Sequence, residues 1–312
     1  MKFHPSELFS TYSIVARDSD TGQLGVAVQT HQMCVGSIVP WLLPGIGAVA
    51  TQSLVNISFG PIALAMLREG VAAPQIIDAL VVSDPDANRR QVAVVDAKGR
   101  VGAWTGDGCI AEADHHIGDG YSVQANMMTR PTVVAAMAAA YEQASGDLAQ
   151  RIVAALEAAQ AEDGDIRGMQ SAAVKVVSGD TSKPVWEADY DLRVDEHENP
   201  VQELARLVRL RRAQLLDDRG HRAFQDDKRN DALALWAEAR TLAPELEELS
   251  FWQAVTLADK PADITMAVEI LRPALAHDPR RAHWIDLIRR LQACGLLERQ
   301  GAADEFITAL EK

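Results

Sequence analysis

The sequence lacks the features that mark several common classes of protein. Only three of its 312 residues are cysteine, and Cys34, Cys109 and Cys294 lie far apart without C-x-x-C spacing. This excludes a disulfide framework, argues against a cysteine-based metal site and is typical of the reducing cytoplasm. No run approaches the roughly 18 apolar residues of a membrane span, and residues 1–10 contain no apolar segment like that of a secretory signal. We therefore expect a cytoplasmic protein with no membrane partner.

Positive charge is scarce in the first two thirds of the chain. Residues 1–200 carry 13 Lys and Arg against 25 Asp and Glu, whereas residues 201–312 carry 17 against 19. An acidic surface repels phosphate backbones, so we expect no nucleic-acid partner. Asp114, His115 and His116 are adjacent, and adjacent side chains of an extended chain point apart. We interpret them as an exposed loop and expect neither a metal nor an organic cofactor.

What the sequence does contain is a globular apolar fraction of 48% and a length that favours two domains. In the first part, short apolar or alternating runs are separated by turn residues, and these predict antiparallel hairpins. Runs with helical spacing lie between them. The predicted strands are 11–17, 23–30, 91–95, 100–105, 121–127 and 171–177, with further apolar runs at 35–39 and 46–52, and the predicted helices are 61–69, 74–82, 132–143 and 148–161.

This order predicts an α+β fold in which two facing antiparallel sheets carry a helix pair on each outer face, a four-layer αββα sandwich. The polar segment 195–200 ends in proline and is the predicted boundary. We assign residues 1–195 to the sandwich domain, with residues 1–10 as a leader, and residues 201–312 to a small all-α domain.

The helical domain contains an internal sequence repeat. Residues 232–244 superpose on residues 267–279 at an offset of 35, with matching small and large apolar positions. This spacing resembles tetratricopeptide repeats, although a plain helical bundle remains the alternative. Two repeats would leave apolar surface uncovered, which favours a homo-oligomer or a peptide or protein partner bound through residues 201–312.

Thr11 is the residue with the clearest chemical potential, because it begins the first predicted strand of the sandwich. If the chain were opened before it, its own α-amine, with a pKa near ~8, could take the proton of its hydroxyl, so that one residue would supply nucleophile and base. The alternative is an ordinary β-forming threonine at a strand end.

Six segments between about residues 11 and 178 carry a further signal, namely 11–18, 25–31, 35–41, 47–53, 120–126 and 165–173. Together they resemble the domain-of-unknown-function 1028 family, which is placed in the N-terminal-nucleophile (Ntn) hydrolase superfamily of αββα folds. Some members of this family carry a helical-repeat extension, and many have a threonine directly after the initiator methionine, at the position of Thr11. This chain departs from that pattern because ten residues precede Thr11, which leaves open cleavage by a protease, self-cleavage, a dormant precursor and loss of the chemistry.

The resemblance implies roles for other polar residues. His31 would orient the nucleophile or the substrate, and Asn126 would donate to an oxyanion. Asp165 and Arg167 would hold the α-amine or a substrate carboxylate, the alternative being a structural ion pair. The residues assigned to substrate binding are Gln29, Gln52, Asn56, Gln170 and Ser171, with loop capping as the alternative for Gln52 and Asn56.

The sequence therefore predicts an Ntn-type amide hydrolase acting on a small amide, acyl-amino acid or ureido compound. The competing hypothesis is a non-catalytic αββα scaffold whose helical repeats bind a peptide or protein.

Overall fold

The computed structural model describes residues 8–312 and divides the chain into two compact units. One unit ends at Val208, and the other comprises Arg209–Lys312. The division lies inside a long helix rather than in the polar segment 195–200 that sequence analysis chose as the boundary.

The strands and helices are introduced here in chain order. The strands are β1 (Leu8–Phe9), β2 (Thr11–Arg17), β3 (Leu24–Thr30), β4 (Pro40–Leu43), β5 (Gly47–Leu54), β6 (Arg90–Asp96), β7 (Val101–Thr105), β8 (Asp114–Gly118), β9 (Tyr121–Asn126), β10 (Ser171–Val177) and β11 (Tyr190–Val194). The helices are α1 (Phe59–Arg68), α2 (Ala73–Ser83), α3 (Val133–Gln143), α4 (Leu148–Ala161), α5 (Pro200–Gln225), α6 (Arg229–Leu242), α7 (Glu247–Ala258), α8 (Ile264–Leu275), α9 (Arg281–Ala293) and α10 (Ala302–Glu311).

The strands form two antiparallel sheets. One sheet has the order β1-β5-β6-β7, with β4 also paired to β5, and the other has the order β11-β10-β3-β2-β9-β8. Strands β2 and β3 contact β5, and β2 also contacts β6, so the two sheets face each other. Helices α1 and α2 contact the first sheet, whereas α3 and α4 contact the second.

The apolar core follows from the alternation of side chains along the strands. Between the sheets, Val15 and Val26 cluster with Ala48 and Ala93, all fully buried. On the outer face of the first sheet, Val49 and its neighbours pack against apolar residues of α1 and α2. Strands β3 and β5 are therefore covered on both faces, and every residue of the two strands is buried, including the polar residues at their ends.

The hairpin of β2 and β3 shows how local chemistry sets the register of the second sheet. The Asp18 carboxylate accepts hydrogen bonds from the amides of Asp20 and Thr21, and Gly22 takes a left-handed conformation with φ of 73°. Such a turn suits an Asx residue followed by glycine. The strands are therefore paired without a slip, from Arg17 opposite Leu24 to Thr11 opposite Thr30.

The predicted α+β class, with antiparallel sheets and a helical C-terminal part, is confirmed, and β2, α4 and β10 begin and end where the sequence placed them. Four short strands, β1, β4, β8 and β11, were not predicted. Residues 114–116, interpreted as a loop, belong to the edge strand β8, and β1 and β11 also lie at sheet edges. The run at 35–39 begins with a 3-10 turn at Val35–Ser37, and the strand follows it. Edge strands are short and partly exposed, so their patterns are weak.

The second unit is entirely helical. Trp236 and Phe251 are fully buried in a core to which α6 through α10 contribute. Helix α7 packs on α8, and α10 packs on both α8 and α9. In the part of the chain that the structure describes, no helix is both long enough and apolar enough to cross a bilayer.

Candidate functional site

Thr11 begins β2 at the end of the second sheet where β3 and β9 end and β10 begins. In the sheet it lies between Thr30, the last residue of β3, and Asn126, the last residue of β9. Ser13, two residues further along, bonds to Gln52 of the facing sheet at 2.6 Å, so alternation points the Thr11 side chain into the space between the sheets. Thr11 is fully buried.

The Thr11 hydroxyl is completely buried and has no hydrogen-bond partner among residues 8–312. Leaving a buried hydroxyl unsatisfied costs about 1–3 kcal/mol, and most buried polar groups in proteins avoid that cost. Of the residues described here, few share this state, and one of them is Asn126, whose Oδ1 is also unpaired. In the part of the chain that the structure describes, the lone pairs of the Thr11 oxygen are therefore not engaged by any donor.

The carbonyl group that precedes Thr11 is held by two donors. The Thr30 hydroxyl donates a short hydrogen bond to the Ser10 carbonyl oxygen, and Arg167 Nη2 donates to the same oxygen at 3.3 Å. One donor is neutral and the other carries a full positive charge. Both would stabilise negative charge developing on that oxygen, which is what an oxyanion hole does.

Asp165 positions the guanidinium of Arg167. The two side chains approach at 3.1 Å between Oδ2 and Nη2 and at 3.3 Å between Oδ1 and Nε, and the Asp165 carboxylate is fully buried. Its Oδ2 also accepts from the amide of His31 at 3.0 Å, which ties the end of β3 to the loop before β10. Asp165 and Arg167 thus form an ion pair, which holds the Arg167 guanidinium against the Ser10 carbonyl oxygen.

His31 contacts this loop rather than Thr11. Its ring Nδ1 lies 3.2 Å from the Met169 carbonyl oxygen, and its backbone amide donates the hydrogen bond to Asp165 described above. Since the Thr11 hydroxyl has no partner, His31 does not act on it directly in this state. The histidine instead fixes the path of the chain from β3 into the next loop.

Beneath Thr11, three side-chain amides form a buried group that we call the amide network, comprising Gln52, Gln91 and Asn126. Gln52 Nε2 and Asn126 Nδ2 donate to the Gln91 Oε1 at 2.8 and 2.9 Å. The same two nitrogens lie 3.3 and 3.4 Å from the Thr11 carbonyl oxygen. Gln91 in turn donates to the Ala125 carbonyl at 2.8 Å. The network therefore holds the Thr11 backbone from both sides, with Gln52 and Gln91 on the facing sheet and Asn126 on the strand next to β2.

Tyr12 is excluded as a base. Burial, and then the nearby Asp165 carboxylate, raise the pKa of Tyr12 well above its ordinary value of 10.0. The neutral phenol donates to Gln160 at 2.9 Å on the opposite face of β2. Gln29, paired with Tyr12 in register, shares that face, and its amide is buried without a partner. Gln29 is therefore separated from Thr11 by the sheet.

The remaining predicted residues lie in bracing positions. The Ser171 hydroxyl accepts from the backbone amide of Val35 at 3.1 Å, and the backbone amide of Gln170 donates to the Thr30 carbonyl at 3.2 Å. Asn56 donates to the Asp84 carboxylate at 3.1 Å and accepts from the Ser58 amide. Although burial opposes it, hydrogen bonds from Arg90, from a backbone amide and from Asn56 lower the pKa of Asp84.

The structure thus brings Thr11, Arg167, Asp165, Gln52 and Asn126 together around the Ser10–Thr11 peptide. Gln29, Asn56 and Ser171 lie elsewhere.

Sequence analysis missed Thr30, Ser10 and Gln91. For Thr30 a signal existed, because the predicted hairpin turn already places it opposite Thr11. For Gln91 no signal was available, because its partners belong to other strands. Within residues 8–312, no group of three or more His, Cys, Asp and Glu side chains is arranged to hold a metal ion.

Comparison with known proteins yields a family and a structural relative. Residues 11–204 match the model of a family described as of unknown function, DUF1028. A crystal structure of the protein SPO2555 from Silicibacter pomeroyi, assigned to the same family model, is 28% identical with a TM-score of 0.57. The similarity covers 64% of this chain and 87% of that one. Among curated proteins, none matches the sequence.

Proposed function

The chain belongs to the DUF1028 family, which has no assigned function, and from its own site we propose that it is an N-terminal-nucleophile amide hydrolase whose Thr11 is freed by opening of the Ser10–Thr11 bond. The observation that carries this proposal is the unpartnered, buried Thr11 hydroxyl beside a carbonyl held by Thr30 and Arg167. The two facing sheets and their helix pairs would then be the αββα sandwich of that superfamily.

The first step opens the chain. Thr11 Oγ1 attacks the Ser10 carbonyl carbon, and the negative charge that forms on the carbonyl oxygen is stabilised by Thr30 and Arg167. The bond from that carbon to the Thr11 nitrogen breaks, and the proton of the hydroxyl is transferred to the nitrogen. This leaves an ester between Ser10 and Thr11 Oγ1, which water hydrolyses to a Ser10 carboxylate and a free Thr11.

Turnover would use the same groups. The free α-amine of Thr11 takes the proton of the hydroxyl as it attacks a substrate carbonyl, and the proton passes to the departing amine, which leaves the acyl group as an ester on Thr11 Oγ1. Water, deprotonated by the same α-amine, then hydrolyses this ester, which releases the acid and restores the Thr11 hydroxyl. Thr30 and Arg167 then receive the substrate oxygen where they now hold the Ser10 oxygen. Asp165 acts as a positioning residue for Arg167, and the amide network holds the Thr11 backbone. The substrates would be amides, acyl-amino acids or ureido compounds.

Helices α6 to α9 repeat as two pairs whose first helices begin 35 residues apart, at Arg229 and Ile264. We propose that they are tetratricopeptide-like units. This spacing supports the interpretation, and a role in binding a peptide or a second copy of the chain would follow from it.

The experiment that tests the hydrolase is an intact-mass measurement of the purified chain together with assays of amine or ammonia release. We expect the wild-type chain to begin at Thr11, the Thr11→Ala variant to retain residues 1–10 and lack activity, and the Thr11→Ser variant to retain both cleavage and some activity. Thr241→Ala, at an exposed helix position, is the matched control and should behave as wild type.

A Thr11→Ala chain that still loses residues 1–10 and hydrolyses amides as fast as wild type would refute the proposal. An intact, inactive wild-type chain would instead favour the scaffold hypothesis.

A further inference from the structure

The end of the leader occupies an edge of the first sheet that borders the Thr11 site. Strand β6 covers one edge of β5 along its length, and β4 covers the other edge only from Gly47 to Ala50. Beyond β4, this second edge is taken by β1, with Leu8 opposite Leu54 and Phe9 opposite Ser53. Residues 8 and 9 thus pair with β5 as a short extended strand.

Ser10 carries the chain from one sheet to the other and fills a built position. It is fully buried, and its hydroxyl lies 3.2 Å from the carbonyl oxygens of both Asn126 and Met127, to which it donates. Two acceptors that converge on one small side chain select a residue that is small and has a proton to donate. A larger side chain would have to displace the ends of β9 and β2.

The edge of β5 next to Ser10 is preorganised. Arg90 donates to the Leu54 carbonyl at 2.6 Å and is itself held by Asp84 at 2.9 Å. Arg90 and Asp84 are both mostly buried, with side-chain exposures of 13% and 8%. An ion pair therefore anchors the end of β5 independently of the leader, so the edge would keep its shape after residues 8–10 leave. A preformed edge takes an extended chain at a lower entropic cost.

Resting on the proposed function, we infer that the substrates are peptides, and that the leader marks how their acyl side binds. The residue whose carbonyl is attacked would take the place of Ser10, with a small hydrogen-donating side chain on the Asn126 and Met127 carbonyls. The two residues before it would pair with Ser53 and Leu54 of β5. The attacked bond joins this serine-like residue to the departing amine.

The test uses the purified full chain and fluorogenic peptide amides. Acetyl-Leu-Phe-Ser-aminomethylcoumarin reproduces residues 8–10, acetyl-Leu-Phe-Val-aminomethylcoumarin removes the hydroxyl, and acetyl-Ser-aminomethylcoumarin removes the two residues that pair with β5. We expect kcat/KM for the first to exceed that for each of the others by about tenfold or more. Binding of the tripeptide acids acetyl-Leu-Phe-Ser and acetyl-Leu-Phe-Val is measured in parallel, with the first binding more tightly.

The outcomes separate the two proposals. If amides are hydrolysed but acetyl-Ser or the valine peptide serves as well as Leu-Phe-Ser, the peptide inference fails and the hydrolase stands. If no amide is hydrolysed, the hydrolase fails, and the peptide inference fails with it because it rests on the hydrolase. Where amides are hydrolysed, equal affinity for the serine and valine acids also overturns the peptide inference, whereas tighter binding of the serine acid supports the built Ser10 position.

Discussion

Thr30→Val tests the central step, because it removes one donor to the Ser10 carbonyl and keeps the shape of the side chain. The Thr30 hydroxyl and Arg167 Nη2 both donate to this oxygen, Arg167 at 3.3 Å. Loss of one oxyanion-hole donor typically costs about 2.7–4 kcal/mol of transition-state stabilisation, or about 10²–10³ in rate. We therefore expect opening of the Ser10–Thr11 bond to slow by about 10²-fold.

The effect on stability should be much smaller. The Ser10 oxygen keeps Arg167 as a donor, so it is not left unsatisfied, and a single hydrogen bond contributes about 0.5–1.5 kcal/mol net. The free energy of unfolding should fall by about 1 kcal/mol. The matched control is Thr51→Val, because Thr51 is also fully buried and donates to a backbone carbonyl, that of Asn56, at 3.1 Å. It should lose similar stability and open at the wild-type rate.

The assay follows newly synthesised chains by intact mass over time and records the fraction that begins at Thr11. Thr30→Ser keeps a donor and should restore most of the rate. Denaturant unfolding of each variant shows that the protein is folded. A folded Thr30→Val variant that opens as fast as wild type would refute the assignment of Thr30 to the oxyanion hole.

Three further outcomes follow from the same contacts. Asp165→Asn should lower the free energy of unfolding by about 3 kcal/mol and slow cleavage of the Ser10–Thr11 bond. The control Asp163→Asn removes an exposed ion pair and should lower the free energy of unfolding by at most about 1 kcal/mol. Both free energies are measured by denaturant titration. Gln91→Leu should lower the free energy of unfolding by about 1–3 kcal/mol in the same titration, because it leaves two buried amide donors unpaired. An unchanged free energy of unfolding would mean that the amide network does not hold the site. The folded pKa of Asp84 lies below its ordinary value of 3.8, so the contribution of Asp84 to stability is present above that value and is lost as the pH falls through the folded pKa. Asp84→Asn should therefore flatten the acid side of the plot of unfolding free energy against pH, as measured by denaturant titration at several pH values.

Local sequence patterns predicted most of the strands and helices of the first unit. Turn residues 18–22 and 96–99 fall between apolar runs, and the strands on either side pair as hairpins in the structure. Helix α4 begins at Leu148 because Asp147 caps it, with its carboxylate accepting from the Gln150 amide. Interactions of this kind span a few residues, so the order of amino acids is sufficient to predict them.

Two features of the candidate site were therefore determined by the sequence alone. The hairpin turn aligns Thr30 with Thr11, and the alternation along β2 turns Thr11 and Ser13 to the same side, because pairing and side-chain direction both follow from counting residues along the strands.

Only the tertiary structure decided what surrounds them. Arg167 donates to the Ser10 carbonyl although the two residues are 157 positions apart in the chain. Strand β1 pairs with β5 rather than with a neighbour in sequence, and Asn56 bonds to Asp84 instead of approaching Thr11. These contacts depend on how two sheets stack and which loops meet at their common end. Chain closure over long separations is governed by the packing of the whole unit, and no local pattern encodes it.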